Sequence, residues 1–133
     1  MITLPSSLLL VGYGKMGSAL LEHWFNHGLT TGAVVVVEPH EETATALRKR
    51  HGLTVLSSPS ETKGVPQVVV FAIKPQMMEE ALPQYAKLGA AGTSSGALFV
   101  SIAAGRTIAS LTRHLGADAA IVRAMPNIPV AIG

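Results

Sequence analysis

The 133-residue chain contains no cysteine. That excludes disulfides, thiol nucleophiles and cysteine-ligated metals, and it leaves the redox compartment open. Charged residues are also scarce, at 14% against 48% apolar. So low a share fits a sheet buried on both faces, or a sizeable surface reserved for a partner. No apolar run approaches the roughly 18–20 residues that cross a bilayer. No basic region precedes the short apolar stretch near the N-terminus, so a signal peptide is not expected and the cytoplasm is the default compartment. The net charge is only +2. Its one dense basic run, Arg48-Lys49-Arg50-His51, reads as a helix C-terminus complementing the macrodipole, whereas nucleic-acid binding needs a wider basic face. His23, His27, His40, His51 and His114 show no carboxylate-supported metal spacing, so no metal is expected. Ser101 lacks the G-x-S-x-G setting of a hydrolase nucleophile.

What is present is an apolar run, Leu8–Val11, leading straight into Gly12-Tyr13-Gly14-Lys15-Met16-Gly17. A strand end, a tight turn and a helix start in that order form a grip for a dinucleotide pyrophosphate. Gly12 permits the turn, Gly14 clears a path to the backbone N–H groups, and Gly17 allows close helix–strand packing. The helix beginning near Lys15 directs its unsatisfied N–H groups at the anion.

Short apolar runs then alternate with helical patterns. Strands are expected at Leu8–Val11, Ala33–Val37, Thr54–Leu56, Gln67–Ile73, Ala97–Ile102 and Ala119–Ala124. Helices are expected over Lys15–His27 and Glu41–His51, after Pro75 with a break at Pro83, and over Thr107–Leu115. Ser57–Pro66 reads as a loop. This alternation specifies an α/β fold of the Rossmann type: a doubly wound, mainly parallel sheet of about six strands with helices on both faces. Residues 1–133 read as one NAD(P)-binding domain.

Glu38 stands 21 residues after Gly17 at the expected end of the second strand. There it can accept hydrogen bonds from an adenosine ribose 2′-OH, which favours NAD over NADP. His40 and Arg48 are able to offset the charge of a 2′-phosphate, and Glu38 can equally be the first-turn acid of the next helix, so both readings stand. Lys74 closes the fourth strand facing the glycine loop across the crevice, where it meets a cofactor, an acidic substrate or solvent. Arg123 lies within the sixth strand, where a structural ion pair is the expected role.

Four segments together resemble the pyrroline-5-carboxylate reductase family: Gly12–Leu20, Ala72-Ile73-Lys74-Pro75-Gln76, Val100-Ser101-Ile102-Ala103-Ala104-Gly105 and Val122-Arg123-Ala124-Met125-Pro126-Asn127. The resemblance implies reduction of 1-pyrroline-5-carboxylate to L-proline with NADP or NAD as cofactor. It implies that Gly12, Tyr13, Gly14, Lys15, Met16 and Gly17 hold the pyrophosphate. Ala72, Ile73, Lys74 and Pro75, with Ala103, Ala104 and Gly105, would contact the nicotinamide end, and Asn127 would lie near the active site. The catalytic residues themselves are unassigned. Ile128 stands where the family commonly has Thr, so a hydroxyl near the ligand is lost. The family's helical C-terminal domain, which supplies dimerisation and most of the substrate surface, is not expected within residues 1–133. The parent protein is then expected to be a homo-oligomer acting on a small molecule, with no nucleic-acid or membrane partner. Two other readings remain at this stage. One is a non-catalytic nucleotide-binding or docking module. The other is a dehydrogenase of the 3-hydroxyisobutyrate or 6-phosphogluconate type, whose glycine loop is similar but whose later segments do not match.

Overall fold

Four-residue apolar strands are the framework of this chain. A computed structural model describes residues 7–62, 65–89, 97–102, 107–116 and 119–123. Six strands form one sheet: β1 (Leu8–Val11), β2 (Val34–Val37), β3 (Thr54–Leu56), β4 (Val68–Phe71), β5 (Leu98–Ser101) and β6 (Ala120–Arg123). Their order is β3-β2-β1-β4-β5-β6 and every pairing is parallel. This is the doubly wound Rossmann arrangement, with the order reversing between β1 and β4.

Because side chains alternate along a strand, β1 feeds two cores. Leu8 and Leu10 join Val34, Val36 and Val70 beneath Leu20 and Leu21 of α1 (Lys15–Asn26) and Ala44 and Leu47 of α2 (Glu41–His51). Leu9 and Val11 join Phe71 and Phe99 on the other face, under Met78 of α3 (Met78–Ala81) and Leu111 and Leu115 of α4 (Ile108–Leu115). There the Phe71 ring stacks on Phe99 at 5.9 Å and meets the Tyr85 ring edge-on at 5.3 Å. Both faces being covered explains the unbroken Val and Leu runs and the low charge content.

Local signals set the helix limits. His40 caps α2, its ring Nδ1 accepting from the Thr43 N–H, and Gly52 ends that helix at φ +67°. Thr107 caps α4 by accepting from the Ser110 N–H. Pro83 has the expected effect: α3 stops at Ala81 and the chain continues as a tighter 3-10 helix over Leu82–Gly89. The strands are shorter than the apolar runs that signal them, since Ala33, Gln67, Ile73, Ala97, Ile102 and Ala119 fall outside the ladder. The Ser57–Pro66 stretch is more structured than a plain loop. Ser58 and Glu61 form a reciprocal capping box around a 3-10 turn at Pro59–Glu61, the S-x-x-E signature that its polar composition concealed.

The basic run at the end of α2 is structural, as its placement suggests. Arg48 donates to the Val55 carbonyl at 2.8 Å, and Arg50 pairs with Glu22 of α1 at 2.9 Å. Arg123, exposed at the end of β6, forms no ion pair among the described residues. Among the described residues, no helix is long and apolar enough to cross a membrane, and no cluster of ligating side chains could hold a metal.

Candidate cofactor site

The sheet registers bring three loops to one level. Val11 pairs with Val37 on one side and with Phe71 on the other. The ladder extends one residue further: Gly12 N–H donates to Val37 O at 3.0 Å, and Ala72 N–H donates to Val11 O at 2.9 Å. The segments beginning at Gly12, Glu38 and Ala72 therefore leave the same sheet edge side by side, next to the point where strand order reverses. Ligands bind there in open α/β sheets.

Each glycine of the loop meets a different constraint. Gly12 has φ +93°, and a Cβ on it would stand 2.7 Å from Ile73 Cγ2 and 3.0 Å from the Ala72 carbonyl oxygen. A Cβ on Gly17 would stand 2.6 Å from the Gly12 carbonyl oxygen. Gly14 has nothing within 4 Å of the same position. Two glycines thus serve the fold, while the third leaves open space at the start of α1. Gly14 is the N-cap of α1, and no side chain caps the helix there and no acid stands in its first turn. Its leading N–H groups are suited to an anion. Lys15 is exposed at the same helix start, with Met16 half-buried beside it.

Glu38 joins two of the loops. Its Oε1 accepts from the Tyr13 N–H at 3.2 Å and its Oε2 from the His40 N–H at 2.9 Å. It lies before α2 rather than in the first turn, which Glu41 and Glu42 supply. Glu38 lines a crevice of about 340 Å³ together with Gly12, Ser58, Ile73, Met77 and Tyr85. Burial pushes the Tyr85 hydroxyl well above its ordinary pKa, and burial likewise raises that of half-buried Tyr13.

Most of the sequence-level candidates converge here. Gly12 through Gly17, Glu38, Ala72 and Ile73 all surround the sheet edge at the switch point. Lys74 and Pro75 follow directly, both exposed, with Lys74 at the N-terminus of a 3-10 turn over Pro75–Met77. Ala103, Ala104, Gly105 and Asn127 lie outside the described residues. Met77 and Tyr85 were not marked by any motif, and neither was Ser58 as a lining residue. They reach the crevice only because α3 and the 57–61 segment fold over it, although the capping box at Ser58 was readable. A larger cavity, about 440 Å³, opens at the opposite sheet edge beside Ser7, Ala33, Thr54 and Pro66. None of the candidate residues borders it.

Comparison with known proteins agrees with this geometry. Residues 7–105 match the family described as NADP oxidoreductase, coenzyme F420-dependent. The chain is 32% identical over 123 residues to pyrroline-5-carboxylate reductase of Escherichia coli, covering 92% of this chain and 44% of that protein. It is 32% identical over 128 residues to the Mycobacterium tuberculosis enzyme of the same name, covering 95% and 43%. A solved Coxiella burnetii pyrroline-5-carboxylate reductase superposes with a TM-score of 0.84 at 22% identity, over 96% of this chain and 46% of that one. A Plasmodium falciparum pyrroline carboxylate reductase with NADP bound gives 0.75 at 28% identity, over 95% and 44%. The chain thus spans a little under half the length of these relatives. It belongs to the NADP oxidoreductase, coenzyme F420-dependent family, and it matches the N-terminal part of the pyrroline-5-carboxylate reductases.

Proposed function

We propose that this chain is the cofactor-binding domain of a reductase that converts 1-pyrroline-5-carboxylate to L-proline with NAD(P)H. The observation that carries the reading is the uncapped start of α1 at Gly14, open to solvent and flanked in register by the Glu38 and Ala72 loops. A pyrophosphate fits above Gly14, held by the backbone N–H groups of Lys15, Met16 and Gly17 and by the Lys15 ammonium. The adenosine half would lie toward Glu38 in the crevice. The nicotinamide half would run toward Ala72, Ile73, Lys74 and Pro75. Ala103, Ala104, Gly105 and Asn127 are assigned to that end by their match to the family motifs.

When bound, NAD(P)H supplies a hydride to the carbon of the imine C=N bond. The contribution of these residues is to anchor the dinucleotide and aim its reactive ring. Orientation of the second reactant is a large part of such a rate, and in the relatives more than half the length lies beyond the matched portion. The groups that hold the imine, and the contacts that would make the parent protein a homo-oligomer, are assigned to such a portion. The 133-residue chain is accordingly expected to bind cofactor and to form little proline alone. Calorimetric titration with NADH and with NADPH tests the reading, and absence of binding by either at millimolar concentration would sink it.

A further inference from the structure

We infer that the site selects NADH over NADPH and that Glu38 is the residue that decides it. The inference rests on the cofactor site proposed above and concerns one part of it, the place of the adenosine ribose.

The Glu38 carboxylate is tethered between two loops. One oxygen is held by the Tyr13 N–H of the glycine loop and the other by the His40 N–H of its own loop, at 3.2 and 2.9 Å. Releasing it would cost the part-buried Tyr13 N–H its partner, whereas the exposed His40 N–H could turn to water. A carboxylate oxygen accepts at two positions, so each still has room for a ribose hydroxyl. A 2′-phosphate brings about two negative charges and no donor when fully ionised, and it would stand against an anchored anion. Replacing a hydroxyl that donates with a group that only accepts changes attraction into repulsion at one point.

The surroundings do not compensate. His40 has its Nδ1 turned to Thr43, bonding the hydroxyl at 2.9 Å and capping α2. Arg48 is drawn to the Val55 carbonyl and to Glu41. Arg50 borders the hollow between Tyr13 and His40, but its guanidinium is paired with Glu22, and the His51 ring lies 3.4 Å from the same Glu22 oxygen. Lys49 is exposed in the last turn of α2. The first turn of α2 adds two further acids, Glu41 and Glu42. The two cations that sequence alone could set against a 2′-phosphate, His40 and Arg48, are thus engaged with Thr43, Val55 and Glu41, and the first turn of α2 is acidic.

The test is titration of the chain with NADH and NADPH at one ionic strength, for the wild type, Glu38→Ser and Glu38→Gln. Wild type should bind NADH at least tenfold more tightly. Glu38→Ser removes the carboxylate and frees the Tyr13 N–H, so NADH should weaken and NADPH strengthen until the preference closes or inverts. Glu38→Gln removes the charge while keeping one acceptor, so NADPH should gain while NADH changes less than about threefold. A thermal midpoint for each variant shows whether it folds, and Glu38→Gln decides the matter if Glu38→Ser does not. Equal or tighter NADPH binding by wild type overturns the inference, as does a preference unchanged in the folded variants. Loss of both cofactors in wild type overturns the proposed function itself, a different result from either.

Discussion

The carbonyl oxygen of Gly12 lies 2.6 Å from the point where a Cβ on Gly17 would stand. Two glycines five residues apart in sequence are pressed together, so the turn closes directly on the first turn of α1. Real Cβ atoms do not approach backbone oxygen that closely, and neither group can rotate away. Gly17→Ala should lower stability by about 1–3 kcal/mol, the usual penalty of forcing an extra methyl into a packed site. Urea unfolding of the two proteins measures it, and equal midpoints would count against this packing.

Gly14 should respond in the opposite way. It has a backbone conformation open to any residue and no atom within 4 Å of a Cβ position. Gly14→Asp places a capping acid at the start of α1, which should hold or raise stability, by up to about 1 kcal/mol. The same carboxylate would occupy the helix N–H groups and repel a pyrophosphate, so affinity for NADH should fall at least tenfold. Thermal midpoint and cofactor titration on one sample separate the two effects. A variant that binds NADH normally would place the pyrophosphate elsewhere.

His40 caps α2 through a long hydrogen bond, 3.4 Å from the Thr43 N–H to Nδ1. His40→Ala should therefore sit at the lower end of the capping range, a loss of about 0.5–1 kcal/mol. His40→Ser should restore most of it, because a serine hydroxyl serves the same position. If denaturation midpoints of all three proteins coincide, the ring is not acting as a cap.

Tyr85 predicts an alkaline limb. Its hydroxyl is buried and its folded-state pKa lies well above the ordinary 10.0. Below pH 10 both folded and unfolded chains keep the proton, and the contribution is intact. Above pH 10 the unfolded chain ionises while the folded one resists, so stability declines as pH rises toward the folded-state value. Tyr85→Phe should flatten the fall measured by urea unfolding between pH 9 and pH 11. Some slope should remain, since Tyr13 is raised in the same direction. An identical slope in the variant would assign the alkaline loss to other groups.

Much of the architecture is carried by local signals. Val34–Val37 and Val68–Phe71 are strands because β-branched and apolar residues in unbroken runs suit a sheet covered on both faces. The spacing of Gly12, Gly14 and Gly17 announces a turn between strand and helix. Gly52 and Pro83 stop or tighten helices through their own backbone restrictions. Such signals act within a few residues, so they survive being read in one dimension. The limits of Ala33–Val37 and Gln67–Ile73 were less legible, because ladder hydrogen bonds end where a neighbour ends.

The roles within the site were not legible in the same way. Composition and motif spacing were enough to establish a Rossmann sheet, a dinucleotide-type glycine loop and an acid at the end of the second strand. They left Glu38 balanced between ribose and helix start, and left His40 and Arg48 available for a phosphate. Folding engages those groups across the structure: Glu38 with Tyr13, 25 residues away, and Arg48 with the Val55 carbonyl. Those bonds depend on which strands are neighbours and in what register. Hydrogen-bond partners within 3.5 Å are a property of packed loops, whereas propensity and periodicity are properties of the chain alone.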